Sequence, residues 1–284
     1  MQDKLTRRIR RIDRALCITA AAVGAVFLAL AAASFPLVSV RYEVHTDKVT
    51  KPFRIVQISD LHSCAYGEDM EELVQLIDEA KPDAIALTGD IYDDKLDNAN
   101  TRTLLSRIGN RYTCCYVAGN HEWNEGADWA QIREDARSMG VQVLEGENIT
   151  IGEVTLCGSC ITDDSDTWMD AVRRCAQGTG DDTFNVLLVH FPESIDYYRA
   201  FKTFDLILCG HAHGGQWRLP WTQNGLYTSS QGFFPKLSGG RFDYDDTTLI
   251  ISRGLSRVKE PLPRIFNNPE FVIIDILPEQ TNSE

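Results

Sequence analysis

Positive charge is what this chain has least of. Its 28 Lys and Arg stand against 41 Asp and Glu, for a formal net charge of −13 over 284 residues. General nucleic-acid binding needs a basic footprint that displaces counterions, so that class of function is excluded. The body is poorer in positive charge than the total suggests, because Lys4, Arg7, Arg8, Arg10, Arg11 and Arg14 crowd the first 14 positions. A phosphate ligand would therefore need a local positive source such as a metal ion. No Pro/Gly/Ser-rich linker or internal repeat divides the chain, and its length suits one large domain with a full core.

Charge of either sign is missing from Ala15 to Val40. The segment from Ala15 to Ala33 is rich in Ala, Val and Leu, and at about 1.5 Å per residue it is long enough for ~30 Å of hydrocarbon. This predicts a basic cytoplasmic N-terminus over residues 1–14, a transmembrane signal-anchor over 15–40 and a folded body over 41–284. The positive-inside rule makes the protein single-pass, with its body extracytoplasmic. A cleaved signal peptide ending near Ala31-Ala32-Ala33 and an export signal read through Arg7-Arg8 or Arg10-Arg11 are the alternatives.

A second pair of cysteines to match Cys157-Gly-Ser-Cys160 is also lacking, so a closed zinc site is not indicated. Of the eight cysteines, Cys114, Cys115, Cys157 and Cys209 lie in apolar, strand-like runs and read as small core residues.

There are only six histidines, and their positions are the strongest signal in the chain. Phe53 to Ser59 reads as a strand that ends in Asp60-Leu61-His62. Ala84 to Thr88 ends in Gly89-Asp90-Ile91-Tyr92-Asp93, and Thr113 to Val117 leads to Gly119-Asn120-His121-Glu122. Phe184 to Val189 delivers His190, and Phe204 to Cys209 delivers Gly210-His211-Ala212-His213-Gly214-Gly215-Gln216. Helical spacing appears around residues 68–80, 98–108, 127–139 and 166–176. Strands alternating with helices in the first half, then mostly strands, suggest two sheets packed face to face with helices outside. Five histidines at strand ends, accompanied by Asp60, Asp90 and Asn120, point to a shared metal site; His45, in an alternating extended segment, reads as a surface residue. The N/O donor set without thiolate suits two divalent ions such as Mn, Fe or Zn. Two metals at about 3.5–4 Å can orient a phosphoryl group and generate hydroxide at neutral pH.

Taken in order and spacing, these five motifs resemble the motif set of calcineurin-like metallophosphoesterases over about residues 53–276. Gly-His-x-His-Gly-Gly-Gln at 210–216, Ser252-Arg253-Gly254 and Arg264-Ile-Phe-Asn-Asn-Pro-Glu270 resemble more narrowly the membrane-linked YkuE/YaeI-like phosphodiesterase branch. The resemblance implies an α/β fold, a four-layer α/β/β/α sandwich of two mixed sheets, and a dinuclear centre. It implies Asp60, His62 and His213 on one metal, Asn120, His190 and His211 on the other, and Asp90 bridging. It makes His121 a catalytic residue that faces substrate and protonates the leaving oxygen or steadies the phosphoryl charge.

Asp93 and Glu122 read either as partners that orient ligands or as solvated loop acids. Arg218, Arg253 and Arg264 are candidates to grip phosphate, with surface or interdomain salt bridges as the alternative. Trp217, Trp221, Tyr227, Phe233 and Phe234 read as an apolar wall beside the site or as core. The function expected is hydrolysis of a phosphodiester by a metal-bridging hydroxide, on a lipid- or envelope-linked phosphoester at the membrane. A phosphomonoesterase, a nucleotide-lipid pyrophosphatase and a non-catalytic interaction module on the same scaffold are the alternatives.

Overall fold

The computed structural model describes residues 2–32, 36–160, 165–218, 222, 224–257 and 263–279. Helix α1 (Gln2–Ala32) precedes the body, in which strands and helices alternate: β1 (Val38–Thr46), β2 (Phe53–Ile58), α2 (Glu71–Ala80), β3 (Ala84–Thr88), α3 (Ala99–Ile108), β4 (Thr113–Val117) and α4 (Trp129–Ser138). Three short strands follow, β5 (Gln142–Val143), β6 (Glu147–Ile151) and β7 (Val154–Gly158), then α5 (Ser165–Gln177), β8 (Phe184–Leu188), α6 (Ile195–Arg199) and β9 (Leu206–Cys209). The chain closes with β10 (Tyr227–Thr228), β11 (Gly232–Phe233), β12 (Gly240–Asp243), β13 (Thr248–Ile251) and β14 (Glu270–Pro278).

The strands form two six-stranded mixed sheets, ordered β1-β14-β2-β3-β4-β5 and β12-β13-β9-β8-β7-β6, and β10 pairs with β11 separately. Alternation along β9 shows how the layers arise. Leu206 and Leu208 point into the core shared by both sheets, whereas Ile207 and Cys209 point to a second cluster with Val172 of α5 and Tyr198 of α6. Each strand of this sheet interior is thus apolar on both faces, which is why it reads as a continuous hydrophobic run. Cys114, Cys115, Cys157, Cys160, Cys175 and Cys209 are buried in these layers. Gln57 stitches the two sheets, its Nε2 donating to Thr88 Oγ1 at 3.0 Å and to the Cys209 carbonyl at 2.9 Å.

The strands that matter most for function run the same way. β2, β3 and β4 are parallel in one sheet, and β7, β8 and β9 are parallel in the other. Parallel strands put their carboxyl ends on one edge, so five loops meet there.

The expected transmembrane segment over residues 15–40 does not appear as an element with those bounds. One helix runs from Gln2 through the charged segment to Ala32, and residues 38–40 already belong to β1; residues 33–35 lie outside the described residues. Among the described residues no helix is long and apolar enough to cross a membrane.

Candidate metal centre

Asp60 and His62 follow β2, Asp90 follows β3, Asn120 and His121 follow β4, His190 follows β8, and His211 and His213 follow β9. The structure brings all eight together on the shared sheet edge. Asp60, His62, Asp90 and His213 each offer a ligand atom within 4.8 Å of the others, and Asp90, His190 and His211 do the same. Asp90 is common to both groups. His62, His121, Asp90, Asn120, His211 and His213 line one cavity, together with Tyr227, Thr228, Ser229, Ser256, Gln216 and Arg264.

The backbone at these loops is unusual. Asp60, His62, Asp90, His211 and His213 all have positive φ, between 44° and 69°. Non-glycine residues rarely adopt this conformation, and clusters of such strain mark functional sites. The turns aim several side chains inward from a short length of chain, where an extended strand would send alternate ones away. Close packing accompanies it: a Cβ on Gly119 would collide with the Asp90 carboxylate, so only glycine lets the third loop approach the second.

Each candidate ligand is held by a defined partner. His62 Nδ1 meets Asp93 Oδ2 at 2.9 Å, and His190 Nδ1 donates to the Thr88 carbonyl at 2.8 Å. Both contacts leave the Nε2 lone pair free for a cation. The Asp60 carboxylate accepts Ser59 Oγ–H at 2.6 Å and the His211 backbone N–H at 2.9 Å, and Asp90 Oδ1 accepts the His121 N–H at 2.8 Å. His62 Nε2, His190 Nε2 and Asn120 Oδ1 are buried and make no hydrogen bond. Buried polar atoms without partners are costly, and these three converge where a cation would satisfy them. The residues fit a divalent metal. Asp and His side chains are positioned for a metal site.

Electrostatics agree with that fit. Burial penalises an imidazolium at His190, but the Asp90 and Asp60 carboxylates outweigh it and push His190 up to about 10, with Nε2 lying 3.1 Å from Asp90 Oδ2. Burial would raise Asp90 as well, but His190 and its neighbours hold it well below the usual carboxylate range. Burial and the charge on His190 push His211 down to about 3, and burial with His62 lowers His213 far below its ordinary value. These two imidazoles are neutral and ready to ligate.

The open questions about accessory residues are decided by burial. Asp93 and Glu122 are both buried rather than solvated. The Glu122 carboxylate accepts the backbone N–H groups of Asp90, Ile91, Tyr92 and Gly119 and the Tyr116 hydroxyl, at 2.6–3.0 Å. Burial raises its pKa, and these donors oppose the rise. Of the three arginines, only Arg264 lines the cavity. Arg253 is paired with Glu270 at 2.5 Å, and Arg218 Nη1 donates to the Gly214 carbonyl at 3.3 Å. Arg264 is 3% exposed; its Nη2 donates to the Arg253 carbonyl at 2.8 Å, and its buried Nη1 has no hydrogen-bond partner.

Sequence reasoning missed Asp94, whose Oδ1 lies 2.7 Å from His121 Nδ1, and Glu193, 3.8 Å from His211 Nε2. The doubled acid Asp93-Asp94 was a signal for the first; nothing in the spacing marked the second. Trp221 lies outside the described residues, and His45 is an exposed strand residue 3.9 Å from Glu43.

Residues 53–215 match the profile of the calcineurin-like phosphoesterases. The chain belongs to that family. The family is named for the hydrolysis of phosphoesters. Among related proteins, YkuE of Bacillus subtilis, named a metallophosphoesterase, is 28% identical over 235 residues that span 79% of each chain. Phosphodiesterase YaeI of Escherichia coli is 29% identical over 180 residues, 60% of this chain and 63% of YaeI. A Helicobacter pylori metallophosphoesterase is 23% identical over 178 residues, 61% of this chain and 48% of that protein, so the match spans about half of that relative.

Proposed function

We propose that this phosphoesterase hydrolyses phosphodiesters, with Asp60, His62 and His213 holding one divalent cation, Asn120, His190 and His211 a second, and Asp90 serving both. The observation that carries the reading is the membership of Asp90 in both ligand groups, next to three buried ligand atoms that have no other partner. Bound cations of this kind supply a water of lowered pKa and Lewis-acid charge at the phosphoryl group.

The chain's own residues then divide the remaining work. Asp94 occupies His121 Nδ1, which leaves Nε2 as the nitrogen able to pass a proton to the departing oxygen. Arg264 Nη1 donates to a non-bridging phosphoryl oxygen and adds one fixed positive charge to an otherwise acidic chain. The other wall residues, Gln216, Tyr227, Thr228, Ser229 and Ser256, are uncharged. One arginine beside neutral hydroxyls and amides suits the single charge of a diester better than the second charge of a monoester. The name of the relative YaeI supports the same choice.

The test is metal content and hydrolysis of an aryl phosphodiester and monoester by the purified full chain, with and without Mn²⁺. Turnover that rises with about two metals per chain and favours the diester is the expected result; metal-independent turnover, or monoester preference, would reject it. Two variants probe the roles. His121→Gln should lower kcat by about 10²–10⁴-fold with metal content unchanged. Arg264→Ala should raise KM for the diester by about tenfold or more, as expected for loss of a charge-assisted hydrogen bond.

A further inference from the structure

The wall of the cavity continues into a surface that water does not favour. Tyr227 of β10 lines the cavity, and its ring lies 5.2 Å from that of Phe233 across the β10–β11 hairpin. Phe233 and the adjacent Phe234 are 70% and 78% exposed. Phe234 also has φ of 57°, and Phe266, itself well exposed, has φ of 50°. A bulky aromatic at positive φ is strained, and holding two of them outward calls for a compensating contact.

This patch is joined to α1. Leu226 donates to the Trp217 carbonyl and accepts from Phe234, so Trp217 and the hairpin form one local array. Phe27, near the end of α1, packs edge-on against Trp217 with ring centroids 5.4 Å apart. Every residue from Ile9 to Val26 is exposed. Ile9, Ile12, Leu16, Val23 and Val26 recur at three-, four- and seven-residue spacing, with Arg10, Arg11 and Arg14 on the opposite side of the first turns; beyond Arg14 that opposite side carries the exposed Ile18 and no charge. A basic opening followed by an uncharged, apolar stretch suits a helix that meets an anionic lipid surface.

We infer that α1 and the Phe233–Phe234 hairpin form one face that seats on an anionic phospholipid bilayer and turns the cavity mouth toward it. The charge distribution argues for a bilayer in preference to a protein groove. The acidic body is repelled by an anionic surface, and the concentrated basic charge of the chain lies in the helix that adjoins this patch. The two contacts act together: aromatic insertion supplies depth and the basic segment supplies attraction. As to chemistry this rests on the reading above, and it narrows the substrate to a phosphodiester carried by a membrane lipid.

The experiment is sedimentation of the full chain with vesicles of phosphatidylglycerol and phosphatidylcholine, compared with pure phosphatidylcholine, alongside turnover of a soluble aryl phosphodiester. The wild type should pellet with the anionic vesicles and be partly released by salt. Phe233→Ser combined with Phe234→Ser should weaken that binding by about 100-fold. The soluble substrate should be turned over at the wild-type rate by Phe234→Ser alone, a change that spares the Phe233–Tyr227 contact. Absence of wild-type binding, equal binding to both vesicle types, or binding unaffected by the double change would each overturn the inference. Binding is read without turnover, so a protein that binds vesicles but hydrolyses no ester would sink the enzymatic reading and leave this one standing.

Discussion

Asp90→Asn should reduce diester hydrolysis by about 10³-fold or more, equivalent to about 4 kcal/mol of transition-state stabilisation. The substitution keeps the size and one oxygen of the side chain, so the hydrogen bond from the His121 N–H can survive and the loop need not move. What is lost is the negative charge shared by the two ligand groups. Asp90 Oδ2 lies 3.1 Å from His190 Nε2 and 3.7 Å from His62 Nε2, so its carboxylate reaches both clusters. Metal content should fall with activity. The metal-free protein offers an independent reading: His190 is held up at about 10 chiefly by Asp90 against its own burial. Without that carboxylate burial wins, and a titration followed by NMR should show His190 losing its proton several pH units earlier. Sustained hydrolysis in this variant would mean that the assignment of the centre is wrong.

How far the chain could be read without coordinates depends on the range of the interactions involved. The strand runs are bounded by their own neighbours, and the parallel βα order of β2, β3 and β4 follows from local periodicity. The candidate ligands are legible because each sits just past such a strand, where the topology leaves little freedom. Other features needed contacts distant in sequence. β14 inserts between β1 and β2, pairing parallel with one and antiparallel with the other, and no local pattern announces that. The positive φ of five candidate ligands is nearly silent in sequence: Asp and His are enriched there among non-glycine residues, but positive φ stays uncommon for them. Among the three arginines, charge and motif were equal at 218, 253 and 264; Glu270 and Gly214 separate them, by engaging the first two candidates and leaving Arg264 facing the cavity. The first helix departs from its expected bounds for the opposite reason: an uncharged stretch was read as an independent element, whereas the helix is continuous with the basic residues before it.

Glu122→Ala should be the most damaging change outside the ligands, costing about 3–5 kcal/mol of stability, a large part of the 5–15 kcal/mol typical of a folded domain. Its carboxylate gathers four backbone N–H groups and the Tyr116 hydroxyl in a fully buried position. Each donor left unpaired in the interior costs about 1–3 kcal/mol, with relief for those that water from the neighbouring cavity can reach. Because three of the donors belong to Asp90, Ile91 and Tyr92, the same change should release the second loop and lower metal affinity as well. The conservative pair separates charge from packing. Glu122→Gln retains the volume but turns an amide NH₂ toward donors, so its loss should be intermediate; Tyr116→Phe removes one donor and should cost about 1 kcal/mol. Urea unfolding of the four proteins in the metal-free state orders them without interference from binding. A Glu122→Ala protein as stable as the wild type would show that the loops are set by their own backbone preferences, and that the carboxylate merely occupies a turn that already existed.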